Sequence, residues 1–62
     1  MNERVREAVE VMLDYVRTHP EEEMEDALFF AYQHLLAAHQ WRLQLNRQEL
    51  DEAWEMLRAE VR

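Results

Sequence analysis

The chain lacks cysteine, glycine, serine, lysine and isoleucine, and its only proline is Pro20. Without cysteine it can form no disulfide and no cysteine-based zinc site. Thr18 is the only hydroxyl side chain besides the tyrosines, and without glycine there is no loop of the kind that cradles phosphate groups. We therefore predict that the protein is not an enzyme and that it has no catalytic residue, cofactor or metal ligand.

Histidines are the obvious remaining candidates for a general base or a metal ligand, and the chain has His19, His34 and His39. His34 and His39 are five residues apart, so on one continuous helix their side chains point about 140° away from each other. We expect no metal site from this pair. His19 stands next to Pro20, where capping of a helix is its more common role.

The formal net charge is -7, which repels nucleic acid and anionic membrane surfaces. The first ten residues do not have the continuous apolar core of a signal peptide. The longest apolar run, residues 27–38, is interrupted by Gln33 and His34 and is shorter than the ~20 residues that a membrane span requires. These features predict a soluble cytoplasmic protein whose partners are proteins, with no direct contact to nucleic acid and no membrane association.

Residues with high helix propensity dominate the composition, and residues that break helices are nearly absent. Apolar residues recur with the spacing of amphipathic helices. The pattern predicts an all-α fold with three short helices, at about residues 3–17, 20–40 and 47–61. We expect residues 1–62 to form a single helical domain.

The predicted helix starts depend on capping residues. Asn2 precedes the first helix, and Asn46 precedes the third with Glu49 at the position that completes a capping box. Pro20 suits the first position of the second helix, where its missing N–H is not needed. Asn2, Pro20 and Asn46 therefore mark the three predicted starts.

The end of the second helix is ambiguous. If that helix continued, Arg42 would lie in the middle of its apolar face, so we end it near residue 40. The following segment WRLQL alternates apolar and polar residues, which favours a short extended connection with Trp41, Leu43 and Leu45 facing inward. A helix that continues to Gln44 is the competing interpretation.

Apolar residues cover about 280° of the circumference of the second helix, whereas the first and third helices each carry one apolar face. We therefore expect the second helix to pack between the other two and still to need further cover, most simply from a second chain in a dimeric helical bundle. In the competing interpretation the WRLQL segment folds back over the second helix and leaves a monomer. The residues predicted at the oligomer or partner interface are Phe29, Phe30, Leu36, Ala37, Trp41 and Trp54.

The first helix carries a row of carboxylates, formed by Glu3, Glu7, Glu10 and Asp14 at spacings of one helical turn. Our leading hypothesis is a small acidic protein that self-associates and acts through protein–protein contact, as an adaptor, regulator or accessory subunit. The alternative is an inhibitor whose acidic face mimics nucleic acid and occupies a basic partner. A groove of aromatic and methionine residues that receives a different protein is compatible with self-association.

Overall fold

A computed structural model describes residues 2–61 of the chain. Its elements are the helices α1 (Glu3–Thr18), α2 (Met24–Ala38), α3 (Gln40–Leu43) and α4 (Arg47–Glu60). The described part of the chain contains no strand, so the predicted all-α class is confirmed. The predicted count of three helices is wrong, because a fourth helix of one turn lies between the second and third predicted helices.

Helix α1 follows its sequence pattern closely. The side chain of Asn2 accepts a hydrogen bond from the Arg4 N–H at 2.8 Å, which confirms Asn2 as the N-cap. At the other end the backbone N–H of His19 donates to the Val16 carbonyl at 3.3 Å. The buried side chains of α1 share one face, as the spacing predicts. They are Val5, Ala8, Val9, Met12 and Leu13.

Helix α2 begins at Met24, so the prediction that it begins at Pro20 is wrong. Residues 19–22 form a turn in which the Glu22 N–H donates to the His19 carbonyl at 3.2 Å. Pro20 occupies the second position of this turn, where its fixed φ is equally suitable. The physical reason is tertiary: the chain must reverse its direction after α1 before α2 can pack against it.

The segment after α2 is neither extended nor a continuation of the helix, so both interpretations of it are wrong. The backbone breaks at His39, α3 makes one turn, and Gln44 closes that turn in the left-handed region with φ 49° and ψ 52°. Leu43 and Leu45 are buried as predicted. Trp41 is 74% exposed, because a helical turn directs it away from the side that Leu43 occupies.

Gln40 fixes the connection from α3 to α4. Its side-chain amide donates to the Leu45 carbonyl at 2.7 Å and accepts from the Leu45 N–H at 3.2 Å. Both backbone groups of Leu45 are therefore satisfied although this residue lies outside any helix. Leu45 can then be buried without leaving its peptide groups unpaired.

The helix that packs closely against both long neighbours is α1, which contacts α2 and α4. The prediction that the second helix takes this central place is wrong. Arg4 near the start of α1 binds Glu49 near the start of α4, so these two helices run in the same direction. Glu25 in the first turn of α2 lies 3.7 Å from Arg58 near the end of α4, so α2 runs antiparallel to α4.

One hydrophobic core joins the four helices. Met12, Leu35 and Leu57 are its largest fully buried side chains, one from each of α1, α2 and α4. Among residues 2–61 no helix has the length and apolar character needed to cross a membrane.

Candidate functional site

The side of α2 that faces away from the core is rich in exposed apolar residues. Exposed fractions are 55% for Phe29, 44% for Phe30 and 37% for Leu36, and Ala37 is also exposed. We call these four residues together with Gln33 the outer face of α2. An amphipathic helix normally shows charged side chains on this side, so the outer face is unusual.

Helical geometry orders the outer face around Gln33. At 100° per residue, Phe29 and Leu36 lie on one side of Gln33, and Phe30 and Ala37 lie on the other. The rings of Phe29 and Phe30 meet edge to face, with centroids 5.6 Å apart and planes at 69°. The two phenylalanines therefore form one exposed aromatic patch near the N-terminal half of α2.

Trp41 stands beyond the C-terminal end of α2. Its indole N–H donates to the Ala38 carbonyl at 2.9 Å, one of the carbonyls that the end of the helix leaves without an intrahelical partner. This hydrogen bond holds the ring against the end of α2 while most of its surface remains in water. Trp41 is therefore exposed and oriented at the same time.

Trp54, the last predicted interface residue, lies on α4, where it lines a small cleft together with Phe29 of the outer face. It is half-buried between α2 and α4, where its ring meets Tyr32 edge to face at 5.4 Å. The guanidinium of Arg58 lies over the Trp54 ring at 5.5 Å, within the range of a cation–π contact. The structure therefore brings Trp54 close to the core and separates it from Phe30 and Leu36.

The predicted acidic row on α1 is exposed at all four positions. These positions are Glu3, Glu7, Glu10 and Asp14. Glu7 forms an ion pair with Arg42, which reaches across from α3, so the row is partly neutralised at its second position. Glu10 and Asp14 line an open depression of about 740 Å³ between α1 and α2.

The three histidines line this depression together with Glu7, Glu10 and Asp14 of the acidic row. His34 and His39 have ring centroids 5.4 Å apart. The expectation that they point away from each other is wrong, because it assumed one continuous helix and α2 ends at Ala38. His19 stacks on Tyr15, with ring centroids 3.9 Å apart and planes at 15°.

Hydrogen bonds define the proton positions on two of these rings. Nδ1 of His19 lies 2.8 Å from the Tyr15 carbonyl, which only accepts, so this nitrogen carries the proton. Nδ1 of His39 accepts from Arg42 at 2.6 Å, so the neutral ring carries its proton on Nε2. Partial burial lowers the pKa of His39, electrostatic repulsion from Arg42 and His34 lowers it further, and Glu7 opposes these effects.

Within residues 2–61, no group of three or more histidine and carboxylate side chains is arranged to hold a metal ion. Three polar residues with clear structural roles escaped the sequence analysis, because these roles depend on tertiary contacts or on the backbone conformation. Arg4 donates to the carbonyls of Leu43 and Gln44 as well as to Glu49. The other two are Gln40, whose side chain binds both backbone groups of Leu45, and Gln44, whose backbone is left-handed. The capping box predicts the contact of Glu49 with Asn46, but no local pattern indicates its ion pair with Arg4.

Comparisons of the chain with protein-family models, with curated proteins and with solved structures give no match.

Proposed function

We propose that this protein self-associates through the outer face of α2 and acts by protein–protein contact, as an adaptor, regulator or accessory subunit. The observation that carries the proposal is the exposure of Phe29, Phe30 and Leu36 on one side of a single helix. Monomeric proteins rarely leave contiguous apolar patches of this kind uncovered. The proposal assigns the protein to the cytoplasm and gives it no catalytic, cofactor-binding or metal-binding role.

A second copy of the chain fits the outer face, because large and small side chains of this face meet when two α2 helices pack in opposite directions. In an antiparallel two-fold pairing centred on Gln33, residues from the same side of the helix face each other, so Phe29 meets the partner's Leu36 and Phe30 meets the partner's Ala37. Each phenylalanine then faces a smaller side chain, and the two Gln33 amides can hydrogen-bond to each other at the axis.

Charge also favours a second copy on this surface. The chain carries a net charge of -7, so two copies repel each other wherever their acidic surfaces meet. Between Asp26 and Gln40 the outer face has no charged side chain. Contact along α2 therefore keeps the acidic row of α1 away from the interface between the copies.

Disulfide trapping tests the proposed pairing, because the chain has no cysteine of its own. In the variant Gln33→Cys the two thiols meet at the two-fold axis, and we expect a covalent dimer under mild oxidation. The matched control is Gln48→Cys, an exposed glutamine on α4. Equal and slow cross-linking of the two variants would contradict the pairing.

The alternative is an inhibitor that presents the acidic row of α1 to a nucleic-acid-binding protein. Full exposure of the row favours it, whereas the Glu7–Arg42 ion pair weakens the resemblance to a phosphate strand. In this case the protein competes with DNA for a basic partner, and the competition weakens as salt rises. Reversal of Glu7, Glu10 and Asp14 to arginine should abolish the competition, and an unchanged result would exclude the alternative.

A further inference from the structure

A small aromatic cleft lies between α2 and α4, separate from the depression that the histidines line. Phe29 and Tyr32 of α2 form one wall, and Trp54 and Asp51 of α4 form the other. Each pair is three residues apart on its helix, so both members point in the same direction. The cleft has a volume of about 220 Å³ and is open to water.

The lining of the cleft is chemically selective. Aromatic rings present a negative electrostatic face, and a cation above such a face is attracted by about 0.5 to 2 kcal/mol. Three aromatic rings and one carboxylate share this small space, and among residues 2–61 no basic side chain lines it. Trp54 already accepts one cation, since the Arg58 guanidinium lies 5.5 Å from its centroid.

From this lining we propose that the cleft binds a methylated ammonium group. Such a group combines a positive charge with an apolar shell, which suits aromatic rings beside the Asp51 carboxylate. The volume is below the roughly 300 Å³ at which pockets for whole small molecules begin, so the cleft accepts a head group rather than a complete metabolite. Arg47 lies 3.7 Å from Asp51, but both side chains are largely exposed, so this pair yields readily to a ligand.

Two sources can supply this group: a free small molecule such as choline, or a trimethylated lysine side chain of another protein. The test uses the Trp41→Phe variant, in which Trp54 is the only indole and its fluorescence reports the cleft. Choline is titrated first, and we expect saturable binding with a dissociation constant on the order of 1 mM, as is typical of so few contacting atoms.

The decisive control is 3,3-dimethyl-1-butanol, which has the shape of choline without its charge. Recognition of the charge predicts that this alcohol binds at least about fivefold more weakly than choline. Equal binding of the two compounds would overturn the proposal, and so would an unchanged Trp54 signal with choline and with a trimethyllysine peptide. Tighter binding of that peptide than of choline identifies a protein ligand. Equal binding of the unmodified lysine peptide would overturn the recognition of methyl groups.

Variants separate the cleft from the self-association surface. Asp51→Asn and Tyr32→Leu, which both lie in the cleft and outside the outer face, should each weaken choline binding by about threefold or more, with an unchanged helical circular dichroism signal. Leu36→Glu changes the outer face but not the cleft, so choline binding should persist in it. Loss of binding in Leu36→Glu, or retained binding in both cleft variants, would contradict the assignment.

Discussion

Glu49 is a nearly buried carboxylate that serves two helix starts at once. It accepts from the backbone N–H of Asn46, from the side chain of Asn2 and from Arg4 at 2.5 Å. The Asn46 hydrogen bond lowers the pKa of Glu49, burial opposes this effect, and Asn2 and Arg4 lower the pKa further. The charged form of Glu49 therefore stabilises the junction of α1 and α4.

This junction predicts a pH dependence that Glu49→Gln removes. Because the folded pKa lies below the ordinary value of 4.5, the stabilisation is complete above pH 4.5 and is lost as the pH falls through the folded pKa. Urea titrations at several pH values should show that wild type exceeds Glu49→Gln in free energy of unfolding by an amount that shrinks in acid. The exposed Glu52→Gln is the control, and a difference independent of pH would contradict the role of the charge.

Gln44 adopts a left-handed conformation that usually belongs to glycine, in a chain that has none. A side chain in this region costs roughly 1 kcal/mol, and a β-branched side chain costs more. We expect Gln44→Gly to raise the free energy of unfolding by up to about 1 kcal/mol, and Gln44→Val to lower it by a similar amount. Urea denaturation measures both free energies of unfolding. A Gln44→Val variant more stable than wild type would show that residue 44 is not left-handed.

At the scale of elements, local signals predict the parts of the fold that depend on local chemistry. The amphipathic pattern of α1 and the capping box of Asn46 and Glu49 are both found. The start of α2 at Met24 and the one-turn α3 were missed, because chain reversal and the position of Leu45 depend on tertiary packing. The wide apolar arc of α2 was predicted, but which part of it α1 covers could not be derived from one helix alone.

The α3 to α4 connection depends on the Gln40 side chain, which a sequence pattern does not reveal. Gln40→Ala leaves both backbone groups of the buried Leu45 without their partner, so we expect a loss of about 1 to 2 kcal/mol of stability. Gln40→Glu keeps only the acceptor for the Leu45 N–H, so its stability should lie between that of wild type and that of Gln40→Ala. Thermal unfolding measures the stability of both variants against that of the exposed control Gln48→Ala. Equal stability of Gln40→Ala and this control would refute the role of the Gln40 hydrogen bonds.

At the scale of the whole molecule, the single chain is already well folded. Its accessible surface is 4299 Å², and surface scaling gives about 4,300 Å² for a monomer of 7.6 kDa. The total surface is therefore that of an ordinary monomer. The proposal of a partner rests on the exposed apolar residues of α2. The proposed dimer would therefore form from a monomer that is already folded.

Because α2 has a buried side and an exposed outer face, two substitutions on this helix should differ in their effect on stability. Leu35 is fully buried, so Leu35→Ala should cost about 2 to 5 kcal/mol of stability at any protein concentration. Phe30→Glu removes an exposed ring, so at low concentration its stability should stay within about 0.5 kcal/mol of wild type. Chemical denaturation checks both, and a large loss for Phe30→Glu in dilute solution would place this ring in the core.

Sedimentation equilibrium of the unmodified chain tests the central claim most directly. If the outer face of α2 binds a second copy, the average mass rises with concentration from 7.6 kDa toward twice that value, and Phe30→Glu stays at the lower value. An average mass of 7.6 kDa for wild type up to high concentration would contradict the account.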